Sequence, residues 1–139
     1  MLIAGVIGHL GMVQTSNLIN SILSSTGKKV SVIDSKSLAG LDITLVREYL
    51  NELGKNNVEI LVLKIDISDV KKDILDNIHF DIMIYTDKSD DIGVDMKEKH
   101  DEIMRWIFSM MDEKGIIIMN MDEGDISDLL SGVKNHIIT

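Results

Sequence analysis

Six short apolar runs punctuate the chain: Leu2-Ile-Ala-Gly-Val-Ile7, Val30-Ser-Val-Ile33, Ile60-Leu-Val-Leu63, Ile82-Met-Ile-Tyr85, Ile116-Ile-Ile-Met119 and Ile137-Ile138, the last only a strand beginning. They are near-continuous rather than alternating, the pattern of strands covered on both faces of a parallel sheet. Between them, apolar residues recur at helical spacing over residues 15–25, 44–53, 70–75, 97–111 and 126–130, the third of these weakly. Strand and helix alternate throughout. Such alternation predicts a three-layer, doubly wound α/β fold with a mostly parallel sheet of five or six strands and right-handed crossovers. Ligands of such sheets sit beyond the carboxyl ends of the strands.

Length and composition narrow this picture. A chain of 139 residues with 45% hydrophobic and 27% charged positions supports one domain, residues 1–139, able to bury roughly two-thirds of its unfolded surface. No repeat, linker or low-complexity tract interrupts it, and it contains 0 Pro. Lys and Arg number 14 against 23 Asp and Glu, a net charge of −9, which argues against nonspecific binding to nucleic acid or to an anionic membrane. With 0 Cys, disulfides, thiolate nucleophiles and Cys-based metal sites are excluded, and a reducing cytoplasm is the expected setting. The apolar start ends at Gly8 and His9 without a basic leader, and no run approaches a membrane span. Residue 1 enters the first strand directly and Thr139 stops within or just after a strand, so an exposed sheet edge is expected to recruit a second copy or a partner protein.

After the first strand comes Gly5-Val-Ile-Gly8-His-Leu-Gly11-Met-Val-Gln-Thr15-Ser-Asn17 and then a helix. Strand, glycine segment and helix N-terminus together favour an anion, because free N–H groups and the helix dipole point at it. The segment resembles the ATP-binding loop of the Mur ligases, the amino-acid ligases of peptidoglycan precursor synthesis, and of the related folylpolyglutamate synthases. That loop reads roughly G-V-T-G-T-N-G-K-T-T-T-T-N-L-I, and Gly5, Gly8, Gly11, Thr15, Asn17, Leu18 and Ile19 fall on its matching positions. Downstream, His79-Phe-Asp-Ile-Met-Ile-Tyr85-Thr-Asp-Lys-Ser89-Asp-Asp91 is similar to the family's F-D-x-x-V-F-T-N-L-S-x-D-H, and Gly115-Ile-Ile-Ile-Met-Asn120-Met-Asp122 to its G-x-x-I-N-x-D-D. The resemblance implies the family's central, P-loop-like ATPase domain, without the N-terminal UDP-sugar-binding and C-terminal domains and without the last part of the central domain.

The departures bear on chemistry. Where the family has its phosphate-binding lysine and the hydroxyl that reaches Mg²⁺, this sequence has Met12 and Val13. The family's metal-binding glutamate after the third strand falls on Lys64, its histidine on Ile92, and its carbamoylated lysine, allowing one gap, on Arg105. A Mg²⁺ ion would meet repulsion at Lys64 and Arg105. The resemblance therefore implies a degenerate domain without ATPase or ligase chemistry, acting as a binding or assembly module. An alternative keeps a metal-independent site for ATP, ADP or phosphate, built from Gly8, His9, Leu10, Gly11, Met12, Val13, Gln14 and Thr15, with Lys64, Arg105 and Asn120, in which the two cations replace the metal's charge; a partner would have to complete any ligase. The plainer account of Lys64 and Arg105 is pairing with Asp66, Asp90 or Asp91, favoured because the net charge of −9 opposes anion capture.

A rival reading takes only the first quarter of the chain. Glycines after strand one and an acid, Asp34, ending strand two follow the logic of a Rossmann-type NAD(P)-binding half, although the spacing departs from G-x-G-x-x-G. The run from Asp87 to Glu98 places oxygens near calcium-loop spacing, but with its glycine one place late and after a strand, so it reads as a solvated acidic loop. His9, His79, His100 and His136 show no paired-ligand spacing, and no G-x-S-x-G elbow occurs. Ile103, Trp106, Ile107, Met110 and Met111 form a stripe at helical spacing that reads as core rather than as a partner groove.

Overall fold

The computed structural model describes residues 1–8, 10–38, 41–66, 78–86, 102, 105–106, 109, 111, 114–118 and 136–138. In chain order the elements are β1 (Leu2–Gly8), α1 (Leu10–Ser25), β2 (Val30–Asp34) with a 3-10 turn at Ser35–Leu38, α2 (Ile43–Lys55), β3 (Ile60–Asp66), β4 (Ile82–Tyr85), β5 (Ile116–Ile118) and β6 (His136–Ile138). Glu102, Arg105, Trp106 and Ser109 are also helical. The expected weak helix at 70–75 and the one at 126–130 lie outside the described residues.

All six strands are parallel, in the order β2-β3-β1-β4-β5-β6. β1 lies inside the sheet between β3 and β4, with Gly5 opposite both Leu63 and Met83. This order overturns the Rossmann alternative. In the dinucleotide fold β2 adjoins β1, which brings the acid of β2 to the glycine turn; here β3 separates them, and Asp34 lies beside Lys64.

The two helices take opposite faces, giving three layers. Met12 of α1 packs with Val6 and Val62, and Ile19, Val30, Val32, Ile60 and Ile84 complete that cluster. On the other face Val46, Leu50 and Leu53 of α2 meet a larger cluster with Ile7, Ile33, Leu61, Leu63, Ile65, Phe80, Met83, Tyr85 and Ile117, to which Trp106 and Met111 also belong. Trp106 and Met111 of the expected stripe thus contribute to the core, while Ile103, Ile107 and Met110 lie outside the described residues.

Local chemistry fixes the helix ends. Asp42 caps α2, its carboxylate accepting the Leu45 N–H at 2.9 Å. α2 closes through Asn57 in the left-handed region (φ 63), with the Asn57 N–H on the Gly54 carbonyl and the Val58 N–H on the Leu53 carbonyl. That is the reciprocal closing pattern of a Schellman turn, with Asn in the usual glycine place. Among the described residues no helix is long and apolar enough to cross a membrane.

Two expectations change. α1 begins at Leu10, five residues before the predicted start at Thr15, because the glycine segment is folded into the helix rather than held as an open loop. The apolar runs are also not all covered on both faces. In β4 and β5 the residues Met83, Tyr85 and Ile117 are buried, whereas Ile82, Ile84, Ile116 and Ile118, facing the α1 side, are only half-buried.

Candidate functional site

At the carboxyl edge of the sheet, parallel register places chemically distinct residues in rows. The row nearest the strand ends joins Gly8 of β1 to Asp66 of β3, with Thr86 immediately after β4. Thr86 is tied to β1: its N–H and its Oγ1 hydroxyl both donate to the Ile7 carbonyl, at 3.0 and 3.2 Å. One row deeper, on the face that carries α1, run Asp34, Lys64, Val6, Ile84 and Ile118. The Asp34 carboxylate accepts the Lys36 N–H at 3.0 Å, which turns the chain from β2 into the 3-10 segment.

α1 starts directly above this edge. Met12 is only 4% exposed and is seated against Val6 and Val62, while Val13 is 45% exposed. The two apolar replacements therefore differ: Met12 is part of the core, and Val13 faces solvent. Ser16, fully buried, satisfies its hydroxyl by donating to the Met12 carbonyl at 2.7 Å, one turn back. Gly11 and Thr15 are half-buried and Gln14 is exposed. Gly8 is buried at the end of β1, and the backbone of Leu10 opens the helix. His9 and Asn120 lie outside the described residues.

Lys64 is half-buried between the strands carrying Asp34 and Val6. Arg105 is exposed on a helical segment whose next residue, Trp106, packs on the α2 side of the sheet. Lys64 stands on the α1 face of the sheet, whereas the segment carrying Arg105 packs on the α2 side. No ion pair of either is seen among the described residues, where the pairs include Lys28–Glu59 at 3.4 Å and Lys55–Glu52 at 3.6 Å. The expected partners Asp90 and Asp91, and the acidic run 87–98, lie outside the described residues. Among the described residues no group of three or more His, Asp or Glu side chains converges as a metal site.

Some residues gain roles that spacing did not assign. Asp66 comes to the edge of β1 because β3 runs to residue 66, three positions beyond the apolar run at 60–63; the alternation Leu63-Lys-Ile65-Asp was the available signal. Gly5 proves to be a packing residue: a Cβ there would lie 2.9 Å from Met83 Sδ and 3.0 Å from Phe80 Cδ1. Asp81 is a strand clamp. Its carboxylate accepts the Ile3 N–H at 2.8 Å, its own N–H donates to the Ile3 carbonyl at 2.8 Å, and its carbonyl accepts the Ile116 N–H at 2.9 Å.

No family model matches the chain, and no curated protein matches it. Solved structures do. Among them is UDP-N-acetylmuramoyl-L-alanyl-D-glutamate–2,6-diaminopimelate ligase, a Mur ligase, with a TM-score of 0.79 and 17% identity over 99% of this chain. The chain spans 31% of the length of that protein. At this identity the likeness establishes a Mur-ligase-like fold.

Proposed function

We propose that this chain is a Mur-ligase-like central domain that does not hydrolyse ATP and that acts as a binding or assembly module. The observation that carries the reading is the burial of Met12, 4% exposed, against Val6 and Val62. Phosphoryl transfer requires a cation and a metal to neutralise charge developing on the phosphates. At the position matching the family's lysine stands a side chain that cannot carry charge and that is directed into the sheet. The neighbouring hydroxyl is replaced by Val13, and the position matching the metal-binding glutamate carries Lys64. These residues do not fit a magnesium–triphosphate, and no step of catalysis is assigned to them.

The test is a turnover assay with ATP and Mg²⁺ on the purified chain, joined to calorimetric titration with ATP, ADP and inorganic phosphate, with and without Mg²⁺. The expected result is no phosphate release and no magnesium-dependent heat. Release of phosphate that disappears in Gly11→Ala overturns the reading. A second reading, a metal-free anion site, draws on Lys64, half-buried beside the start of α1 and without an ion-pair partner among the described residues. It is supported by heat in the absence of Mg²⁺ that is lost in Lys64→Ala, and defeated by silence at millimolar ligand.

A further inference from the structure

β2 ends the sheet on one side, with β3 as its neighbour. The Ile60 N–H donates to the Lys29 carbonyl at 3.3 Å, which fixes the phase of this parallel ladder. The N–H and C=O of Ser31 therefore turn toward β3, as does the Ile33 N–H, while those of Val30 and Val32 turn outward. No hydrogen bond of these outward groups is seen among the described residues. Sheet edges are ordinarily blunted by proline, a bulge or a charge within the strand. Val30-Ser-Val-Ile33 has none of these: its register with β3 is unbroken, and the charges stand at its ends, Lys28 and Lys29 before it and Asp34 after it. A Cβ built on Gly27, in the turn that leads into the strand, would meet nothing within 4 Å, so the approach at that end is open.

We propose that β2 pairs with β2 of a second copy of the chain, antiparallel about a two-fold axis at Ser31, joining the two sheets into one. Charge complementarity selects both the occupant and the register. The strand begins cationic and ends anionic, so an antiparallel copy sets opposite charges against each other at both ends. Outward-facing residues must pair with outward-facing residues. With Val30 of one copy opposite Val32 of the other, Lys28 meets Asp34 at both ends, and Ser31 meets Ser31 on the axis. Sliding by one pair either way loses the match: Lys28 comes opposite Lys36 and Asp34 opposite Val30, or Lys28 comes opposite Val32 and Asp34 opposite Thr26. Little has to be given up. Lys28–Glu59, at 3.4 Å, is a surface pair with side chains 55% and 51% exposed, and the Asp34 carboxylate, which accepts the Lys36 N–H through one oxygen, keeps its second oxygen for the other copy. Val30 and Val32 already pack beside Val6, Met12 and Val62, so their pairing extends an existing apolar layer. The inference rests on the assembly role proposed above and names its partner.

Sedimentation velocity on the full chain, across a concentration series, tests it, and a reversible dimer is expected. Val32→Pro removes an N–H that points outward, so it should keep the ladder to β3 and the circular dichroism while weakening dimerisation at least about 100-fold. Lys28→Asp and Asp34→Lys each set like charges opposite at both ends and should weaken it about 10-fold. An equimolar mixture of these two variants restores it, because each end then carries one acid and one base. The chain has no cysteine, so Ser31→Cys gives each copy one thiol; residues opposed in a non-hydrogen-bonded pair stand about 4.5 Å apart at Cα, within disulfide reach. In an oxidising glutathione buffer this variant should link into a dimer, and Lys29→Cys should not. A parent chain that stays monomeric, a dimer indifferent to Val32→Pro, a mixture no tighter than its components, or linking at Lys29→Cys as ready as at Ser31→Cys overturns the proposal. If Val32→Pro unfolds, the charge mixture and the disulfide decide. ATP turnover would defeat the function proposed above without touching these outcomes, and a monomer lacking turnover would defeat only the dimer.

Discussion

Restoring the lysine that a phosphate site would need, by Met12→Lys, separates a core position from a binding position. Met12 is 4% exposed and shares its cluster with Val6 and Val62. Truncating a buried methionine costs about 2–5 kcal/mol. A lysine keeps a stem of similar length but must bend its ammonium out to water, which places the expected loss near the lower end, about 2–3 kcal/mol. With a urea slope of about 1.5 kcal/mol per molar, the unfolding midpoint falls by roughly 1.3–2 M. Val13→Lys is the control, because Val13 is 45% exposed, and an exposed substitution of this kind changes stability by no more than about 0.5 kcal/mol. Urea titrations followed by circular dichroism compare the two. If Met12→Lys is as stable as its parent, or acquires magnesium-dependent ATP binding, residue 12 is not held in the core and the argument for a non-hydrolytic domain fails.

Other substitutions probe the frame around this position. Gly5→Ala places a Cβ 2.9 Å from Met83 Sδ and 3.0 Å from Phe80 Cδ1; both neighbours are fully buried, so an overpacking loss of about 1–3 kcal/mol is expected in thermal unfolding. Asp81→Ala removes the acceptor of the Ile3 N–H; since the bond is exposed, the cost is about 1 kcal/mol, with faster amide exchange at Ile3 as the local readout. Asp42→Ala removes the cap of α2 and should destabilise by about 1 kcal/mol in the same titrations.

The alternation of apolar runs with helical spacing identified the layers and the parallel sheet, because both signals arise from burial along single elements. Strand order is different. A strand–helix alternation is shared by the dinucleotide order and by the one found, and only the placement of β3 between β1 and β2 separates them. The start of α1 was misplaced for a related reason: Gly8 and Gly11 read as an open turn, yet Gly11 lies within the helix and Gly8 ends a strand. The runs Ile82–Tyr85 and Ile116–Ile118 look equally apolar on both faces in sequence, so nothing in them marks the side that α1 leaves half-covered. Lys64 was singled out by its position in the resemblance; its place in a row with Asp34 and Val6 needed the register.

The segments that carried the resemblance turn out to be segments that build the sheet. Gly5 lets Met83 and Phe80 close over β1, Phe80 is fully buried, and Asp81 ties the start of β4 to β1 and to β5. Each of these roles depends on shape and backbone pairing, and none requires a ligand. The positions matching the family's phosphate-binding lysine, magnesium-reaching hydroxyl and metal-binding glutamate, residues 12, 13 and 64, are those at which this chain departs from the pattern. A likeness at 17% identity shows the fold, and chemistry has to be argued from the site.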